Sequence, residues 1–572
     1  MNELFWTSGR PRHDYSWLGW IWLSLALTIV IGAALFLGEY SDPGRMEFDA
    51  KFQMQQALGE KPLNDWHPVI LTVFWAWLID VTGNVGAMLW VQIWVIAAVA
   101  YGFCVYLYDL TRRIWWSALG LAVFFLPYMM NVYGMIWKDT QMVMAFLGSV
   151  VLTLLATRFR RLQWPLLIIA VLLMIYGTEV RKNAAFAVPP LAFLMLRTAL
   201  AGTRWEARVF GGVLRRVAAM VAATAVVGAG VVVAGKVIDN SVHPEKTSQI
   251  SQIYLDDVIF VVPPDAINAS DAPPELKQKL IHAQDECRRK NQHWNAYWRC
   301  YGTGVNGPYT PIAHGPELAE LWRETVPQRP QQYLQYRLMN YQIFLTTTWL
   351  EWLPGKETLK FNTDGERALN WYVTELGVKR LAVLFDAWFW FVISCALPLF
   401  WRLYRPLRLP IMALSTSALC YLVGFFPIIP ESQYRYHYWA AAACTLALVL
   451  VAVDLTWQIR HRRFALADPS AVRTAGQVGP DAPAEPIAAE STVEDSPEDL
   501  AEPVADQTPD EPDADPEPDA DPEPDAEPEP DAEPEPAVGA DADVVDDSGV
   551  DDSDFDDSDF DDSDFEDESD RG

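Results

Sequence analysis

The sequence is poor in the residues that metal and redox centres need. It has 6 Cys and 8 His in 572 residues, and no CxxC or HxxxH spacing joins any of them. Cys104, Cys395, Cys420 and Cys444 sit inside apolar runs, where a free thiol behaves as a small hydrophobe. Only Cys287 and Cys300 lie in polar sequence, and their spacing fits one disulfide if that region faces an oxidising compartment. No cleavable signal peptide is evident, because the first apolar run is long, contains Trp and is not followed by a small-residue cleavage site. Charge is scarce inside the longest apolar runs, and those runs are long enough to span a bilayer. That excludes a soluble globular enzyme.

Charge is plentiful elsewhere but uneven. The chain holds 74 acidic and 43 basic residues for a net charge of −31. The segment 465–572 carries 41 of the acidic and 2 of the basic ones, so the remaining 464 residues hold 33 and 41 and are net +8. The overall acidity therefore describes a tail on a mildly basic, very apolar body, and no nucleic-acid partner is expected. The tail contains Glu-Pro-Asp-Ala repeats over Glu511–Pro536, then a thrice-repeated Asp-Asp-Ser-Asp-Phe ending at Phe555, Phe560 and Phe565. So much like charge with so much Pro predicts a disordered, solvated spacer. The spaced Phe residues also suit docking to a cytoplasmic partner.

Apolar runs at 16–38, 85–108, 114–136, 141–157, 163–178, 184–199, 217–236, 380–401, 409–428 and 438–457 predict an all-α polytopic membrane protein with about ten transmembrane helices. Basic residues at Arg10 and Arg12, Arg112 and Arg113, Arg158 to Arg161, Arg204 to Arg216, Arg402 to Arg408 and Arg460 to Arg463 fall in alternate connections. By the positive-inside rule these connections and both termini are cytoplasmic, which predicts a multi-pass protein of a bacterial inner membrane. The organisation expected is an N-terminal transmembrane module (1–236) with a first outer loop (39–84), a large extracytoplasmic loop (237–379), C-terminal transmembrane helices (380–464) and the acidic tail (465–572). Within the first loop, Val69–Asp80 is apolar but short. It reads as an interfacial helix with Trp75 and Trp77 at headgroup depth.

Four polar clusters fall on the expected outer face. The first is Glu47-Phe48-Asp49, with Asp42 before it and Asn64-Asp65-Trp66-His67-Pro68 after it; a carboxylate there suits a general base for an acceptor hydroxyl, and an ordinary solvated loop acid is the simpler reading. The second is Trp137-Lys138-Asp139-Thr140, where Asp139 or Thr140 also suits an N-terminal helix cap. The third, Glu179-Val180-Arg181-Lys182-Asn183, puts two cations against the positive-inside bias, which suits a phosphate or lipid headgroups. The fourth, Tyr434-Arg435-Tyr436-His437-Tyr438 after Glu431, suits a phosphate or sugar as well as an aromatic belt. An anionic base facing several cations fits transfer from a phosphate-linked donor, where developing phosphate charge needs Arg or Lys.

The order of these motifs resembles the GT-C membrane glycosyltransferases, among them protein O-mannosyltransferases, the lipid A aminoarabinose transferase and a bacterial subgroup with Trp-Lys-Asp, Arg-Asn and Tyr-Arg-Tyr turns. The resemblance covers residues 16–457. Asp49, Gly59 and His67-Pro68 are similar to the family's first-loop acid, Gly and basic residue before Pro; Asp139 to its second acid; Arg181-Lys182-Asn183 to its Lys-containing turn; and Arg435-Tyr436 to its late Arg/Lys-Tyr turn. Two departures stand out. Glu47-Phe48-Asp49 replaces the family's Asp-Glu pair, which leaves Asp42, Glu47, Asp49 and Asp139 all in view as the base, and His67 replaces a Lys.

The resemblance implies inverting transfer of a sugar from a polyprenyl-phosphate donor to a lipid, glycan or protein acceptor. Asp49 would deprotonate the acceptor, and Arg181, Lys182 and Arg435 would hold the donor phosphate with Asn183, Tyr436, Lys138, His67 and Asp65 nearby. Asp139 would orient donor or acceptor. It leaves metal use open, with a divalent cation (Mg or Mn) one option, and membrane lipids are expected partners. The rival readings are a lipid-linked glycan flippase, which would place charges at mid-membrane, and a glycan polymerase or ligase relying on large-loop residues such as His282, His293 and His314. A scaffold serving the tail is a third. The large loop's Trp294, Trp298, Trp322, Trp349, Trp352 and Trp371 suit either sugar stacking or a small core.

Overall fold

The computed structural model describes residues 15–301, 312–347, 364–429 and 431–467. These fall within one compact unit, Met1–Asp481. The acidic tail, Arg10, Arg12, Trp349 and Trp352 lie outside the described residues. Among the described residues the secondary structure is helical, with no strands and two isolated β-bridges.

Seven helices are long and apolar enough to cross a membrane: Trp17–Ser41, Ala87–Thr111, Lys138–Arg158, Arg160–Val180, Lys182–Leu200, Val213–Val242 and Tyr438–Arg460. The chain is thus an all-α, membrane-embedded protein. The other three expected runs fall on shorter apolar helices, Ile114–Phe125, Ala387–Leu399 and Arg408–Gly424. The run 114–136 is interrupted where Leu126 takes an extended ψ of 142° ahead of Pro127. The proline ring disfavours the helical region for the residue before it, although every residue around it is apolar.

Helix Lys138–Arg158 is the centre of the bundle. It is buried along 89% of its apolar window, against 11% for Val213–Val242 and 28% for Trp17–Ser41. A helix apolar all round is either central or lipid-facing, and packing decides which. At one end of the bundle Asp109 is fully buried, with Arg158 Nε at 2.7 Å and Arg112 at 3.0 Å. Arg160 there donates to Ala201 O at 3.4 Å. The candidate site lies at the other end.

Two features of the first connection differ from expectation. Helix Val69–Thr82 does not rest both tryptophans at an interface. Trp75 is buried in the main core and donates its Nε1–H to Val85 O at 2.9 Å, while Trp77 is exposed. Neither Asp139 nor Thr140 caps the helix that follows Trp137 through a side-chain hydrogen bond.

The described part of 237–379 has its own core. Leu255, Val258, Leu276, Leu280, Leu318 and Leu321 pack around the disulfide Cys287–Cys300 with Trp66 from the first connection. Trp298 and Trp322 pack against this core rather than standing free, and Trp371 is exposed. Asp257 is buried beneath it, taking Arg337 Nη2–H at 2.6 Å and Trp322 Nε1–H at 2.8 Å.

Candidate functional site

Two backbone bridges hold the first connection against the rest of the chain. Arg45 pairs with Met135 through Arg45 N–H to Gly134 O (2.8 Å) and Ile136 N–H to Arg45 O (3.0 Å). Asn64 pairs with Glu245 through Glu245 N–H to Leu63 O (2.9 Å) and Asp65 N–H to Glu245 O (3.0 Å). The first bridge sets Glu47 and Asp49 beside Lys138, and the second ties His67 to the segment entering the outer core. Buried Gln92 supports this from below, donating to Tyr133 O (2.7 Å) and Met135 O (3.1 Å), while Gln141 Nε2 donates to Gln92 Oε1 (2.8 Å). Buried amides are retained where every donor and acceptor finds a partner.

The result is a cleft of about 680 Å³ lined by Glu47, Asp49, Asp65, His67, Lys138, Arg181, Lys182, Asn183, Arg435 and Tyr436, together with residues of the outer core. Its size falls within the range of small-molecule sites, roughly 300–1,000 Å³. Three polar turns distant in sequence and the first connection thus converge. Asp42 does not join them: its carboxylate accepts from Trp90 Nε1 at 3.0 Å at the end of the first helix.

Each charge in the cleft has a defined setting. Arg435 Nη1 lies 3.0 Å from Glu47 and 3.7 Å from Asp49, and its guanidinium packs over the Trp137 ring, 5.1 Å from the centroid. Lys138 Nζ lies 3.9 Å from Asp49 and 3.4 Å from His67 Nδ1. A lysine has only donors, so His67 Nδ1 is the acceptor and the ring is neutral. Burial, followed by the neighbouring Lys138 charge, pushes the His67 pKa down to about 3. Burial raises the Glu47 carboxyl above its usual range, opposed by Arg435. Asp139 is fully buried with Arg181 Nε 3.1 Å away, in an ion pair whose angles fall short of a hydrogen bond. The Arg181 guanidinium in turn lies over the Tyr436 ring at 5.0 Å. Lys182 is the exposed cation, paired with Glu179 at 2.5 Å. Asp65 is a latch, its Oδ1 taking Thr247 N–H (2.7 Å) and Oγ1–H (2.8 Å).

The tyrosines of the last turn are structural rather than interfacial. Tyr434 donates to Tyr128 O (2.6 Å) and Tyr438 to Met129 O (2.8 Å), both buried, which aims Arg435 into the cleft.

Several lining residues were not singled out from sequence: Gln249, Gln252, Asp256, Asn295, Arg299 and Arg337. A signal existed for one of them. Asp256-Asp257 interrupts the apolar stretch from Tyr254 to Val262, and a buried carboxylate needs partners. Asp256 finds the backbone N–H groups of Ala296 (2.8 Å) and Asn295 (3.1 Å).

A divalent cation does not fit between Glu47 and Asp49. Glu47 and Asp49 converge on Arg435, so a dication between them would have to displace a guanidinium. Among the described residues no group of three or more His, Cys, Asp or Glu side chains is arranged to hold a metal. No family model, curated protein or solved structure matches the chain.

Proposed function

We propose that the chain is an inverting membrane glycosyltransferase using a polyprenyl-phosphate sugar donor, with ten membrane crossings, cytoplasmic termini and the cleft on the extracytoplasmic face of an inner membrane. The observation that carries this reading is the position of a partly exposed carboxylate, Asp49, between Lys138 and Arg435 in a cleft that also holds Arg181 and Lys182.

Asp49 accepts the proton of the acceptor hydroxyl as its oxygen attacks the anomeric carbon. The bond from that carbon to the phosphate oxygen breaks, and the electron pair leaves with the polyprenyl phosphate. Lys182, Arg181 and Arg435 meet the negative charge that develops there, in a partly desolvated site where fixed cations act strongly. Glu47 is held at 3.0 Å by Arg435, which makes it the partner that orients that guanidinium rather than the base. Asp139, fully buried against Arg181, positions Arg181 and does not reach substrate.

The rivals find less support. Buried Asp109 is paired with Arg112 and Arg158 at the end away from the cleft, which lends a flippase no support there. His282, His293 and His314 do not line the cleft, as a polymerase or ligase using them would require. The test is reconstitution in liposomes with radiolabelled polyprenyl-phosphate sugars and a membrane extract as acceptor source. Release of free polyprenyl phosphate is expected; donor crossing the bilayer intact, without release, contradicts the reading.

A further inference from the structure

The two sides of the cleft differ in chemistry. Lys138, Arg181, Lys182 and Arg435 line the bundle side. The facing wall comes from helix Ser251–Val261, its leading turn and the loop closed by Cys287–Cys300; it presents Gln249, Gln252, Asn295 and Trp298, with Asp256 and the cation Arg299 also among its lining. Two of its amides are fixed in a chain. Gln252 Nε2 donates to Asn295 Oδ1 (3.0 Å), and Asn295 Nδ2 donates to Glu431 Oε2 (2.7 Å). Asn295 has a left-handed backbone (φ 53°), held by Asp256 accepting from its N–H and from that of Ala296. These hydrogen bonds fix the orientation of both amides.

Beside these amides, the Trp298 ring meets Phe48 edge to face, with centroids 6.3 Å apart at 89°. Phe48 is 50% exposed although aromatic, and it directly precedes Asp49. Rings with one accessible face stack on apolar C–H faces, and planar amides offer paired donors and acceptors that match vicinal hydroxyls. The two cations on this side face carboxylates: Arg337 is committed to Asp257 at 2.6 Å, and Arg299 lies close to Glu431.

Building on the glycosyl-transfer reading, we infer that the acceptor is a carbohydrate, its terminal residue lying on Phe48 and Trp298, hydrogen-bonded by the Gln252–Asn295 amides, with the accepting hydroxyl directed at Asp49.

The test is saturation-transfer NMR on the full chain in detergent, without donor, using mannotetraose, arabinotetraose, galactotetraose and chitotetraose as probes. At least one glycan is expected to bind. Binding should weaken tenfold or more in Trp298→Ala and in Gln252→Ala, and Trp298→Phe should restore most of it. Donor binding, measured separately with polyprenyl-phosphate sugar, should change less than threefold in all three variants, which separates loss of the subsite from loss of folding. The inference is overturned if no probe binds, if binding survives both alanine variants, or if a Ser/Thr-rich peptide binds in a Trp298-dependent way instead. Glycan binding without any donor binding or turnover would leave this subsite standing and defeat the transfer reading.

Discussion

Asp49 and Glu47 lie two residues apart and share Arg435, yet their surroundings separate them. Both keep about a quarter of the side chain exposed, but Glu47 makes the closer ion pair with Arg435 and its carboxyl is raised by burial, whereas Asp49 stands at longer range between Arg435 and Lys138. His67 shows the same logic in a neutral group. Burial and Lys138 depress its pKa from 6.5 to about 3, so the folded protein refuses a proton that the unfolded chain accepts between those values. The stability this contributes is complete above pH 6.5 and is lost as pH falls towards 3. Melting curves of wild type and His67→Gln between pH 7.5 and 4.5 check this: the wild type should lose more stability on acidification, and the difference isolates His67 because Glu47 and Asp256 titrate in both proteins. Across pH 5–8 the histidine stays neutral, so its replacement should add no ionisation to the pH profile of donor binding.

At the scale of elements, the site depends on pieces that carry no chemistry. Gln92 satisfies two carbonyls beneath Trp137 and Lys138. Gln92→Leu conserves much of the volume but strands Tyr133 O and the Gln141 Nε2–H, at about 1–3 kcal/mol for each group left unpaired, while Met135 O keeps the Trp137 N–H at 3.0 Å. A lower Tm and a reduced kcat, more than a raised donor KM, are expected in thermal-shift and turnover assays. The disulfide Cys287–Cys300 closes the loop that contains Asn295 and Trp298. Cys287→Ala with Cys300→Ala should cost about 3 kcal/mol by the loop-entropy argument and weaken acceptor binding more than donor binding. A comparison of Tm and the two binding constants reads both effects.

These elements also mark what the sequence made legible. The polar turns 47–49, 138–139, 181–183 and 435–436 stood out because charge beside an apolar run is costly, and they do meet in one cleft. The disulfide was legible because only two cysteines lie in polar sequence. The helical break at Pro127 was masked by uniformly apolar neighbours, and the burial of Trp75 depends on a distant carbonyl, Val85 O. The facing wall was the largest omission. Gln252 and Asn295 are ordinary surface residues until tertiary contacts aim them inward, and no local pattern distinguishes them.

For the whole molecule, the fold brings carboxylate, cations and a wall of amides and Trp298 to one end of a bundle whose other end holds the Asp109–Arg158 pair. The central claim is that this cleft transfers a sugar with Asp49 as base. The most direct measurement is turnover of a polyprenyl-phosphate sugar by purified wild-type protein and Asp49→Asn, with donor binding measured on the same samples. Losing a general base should lower kcat by about 10²–10⁴-fold while donor affinity stays within a few-fold of wild type. Undiminished turnover in Asp49→Asn would contradict the account and move the base to another carboxylate.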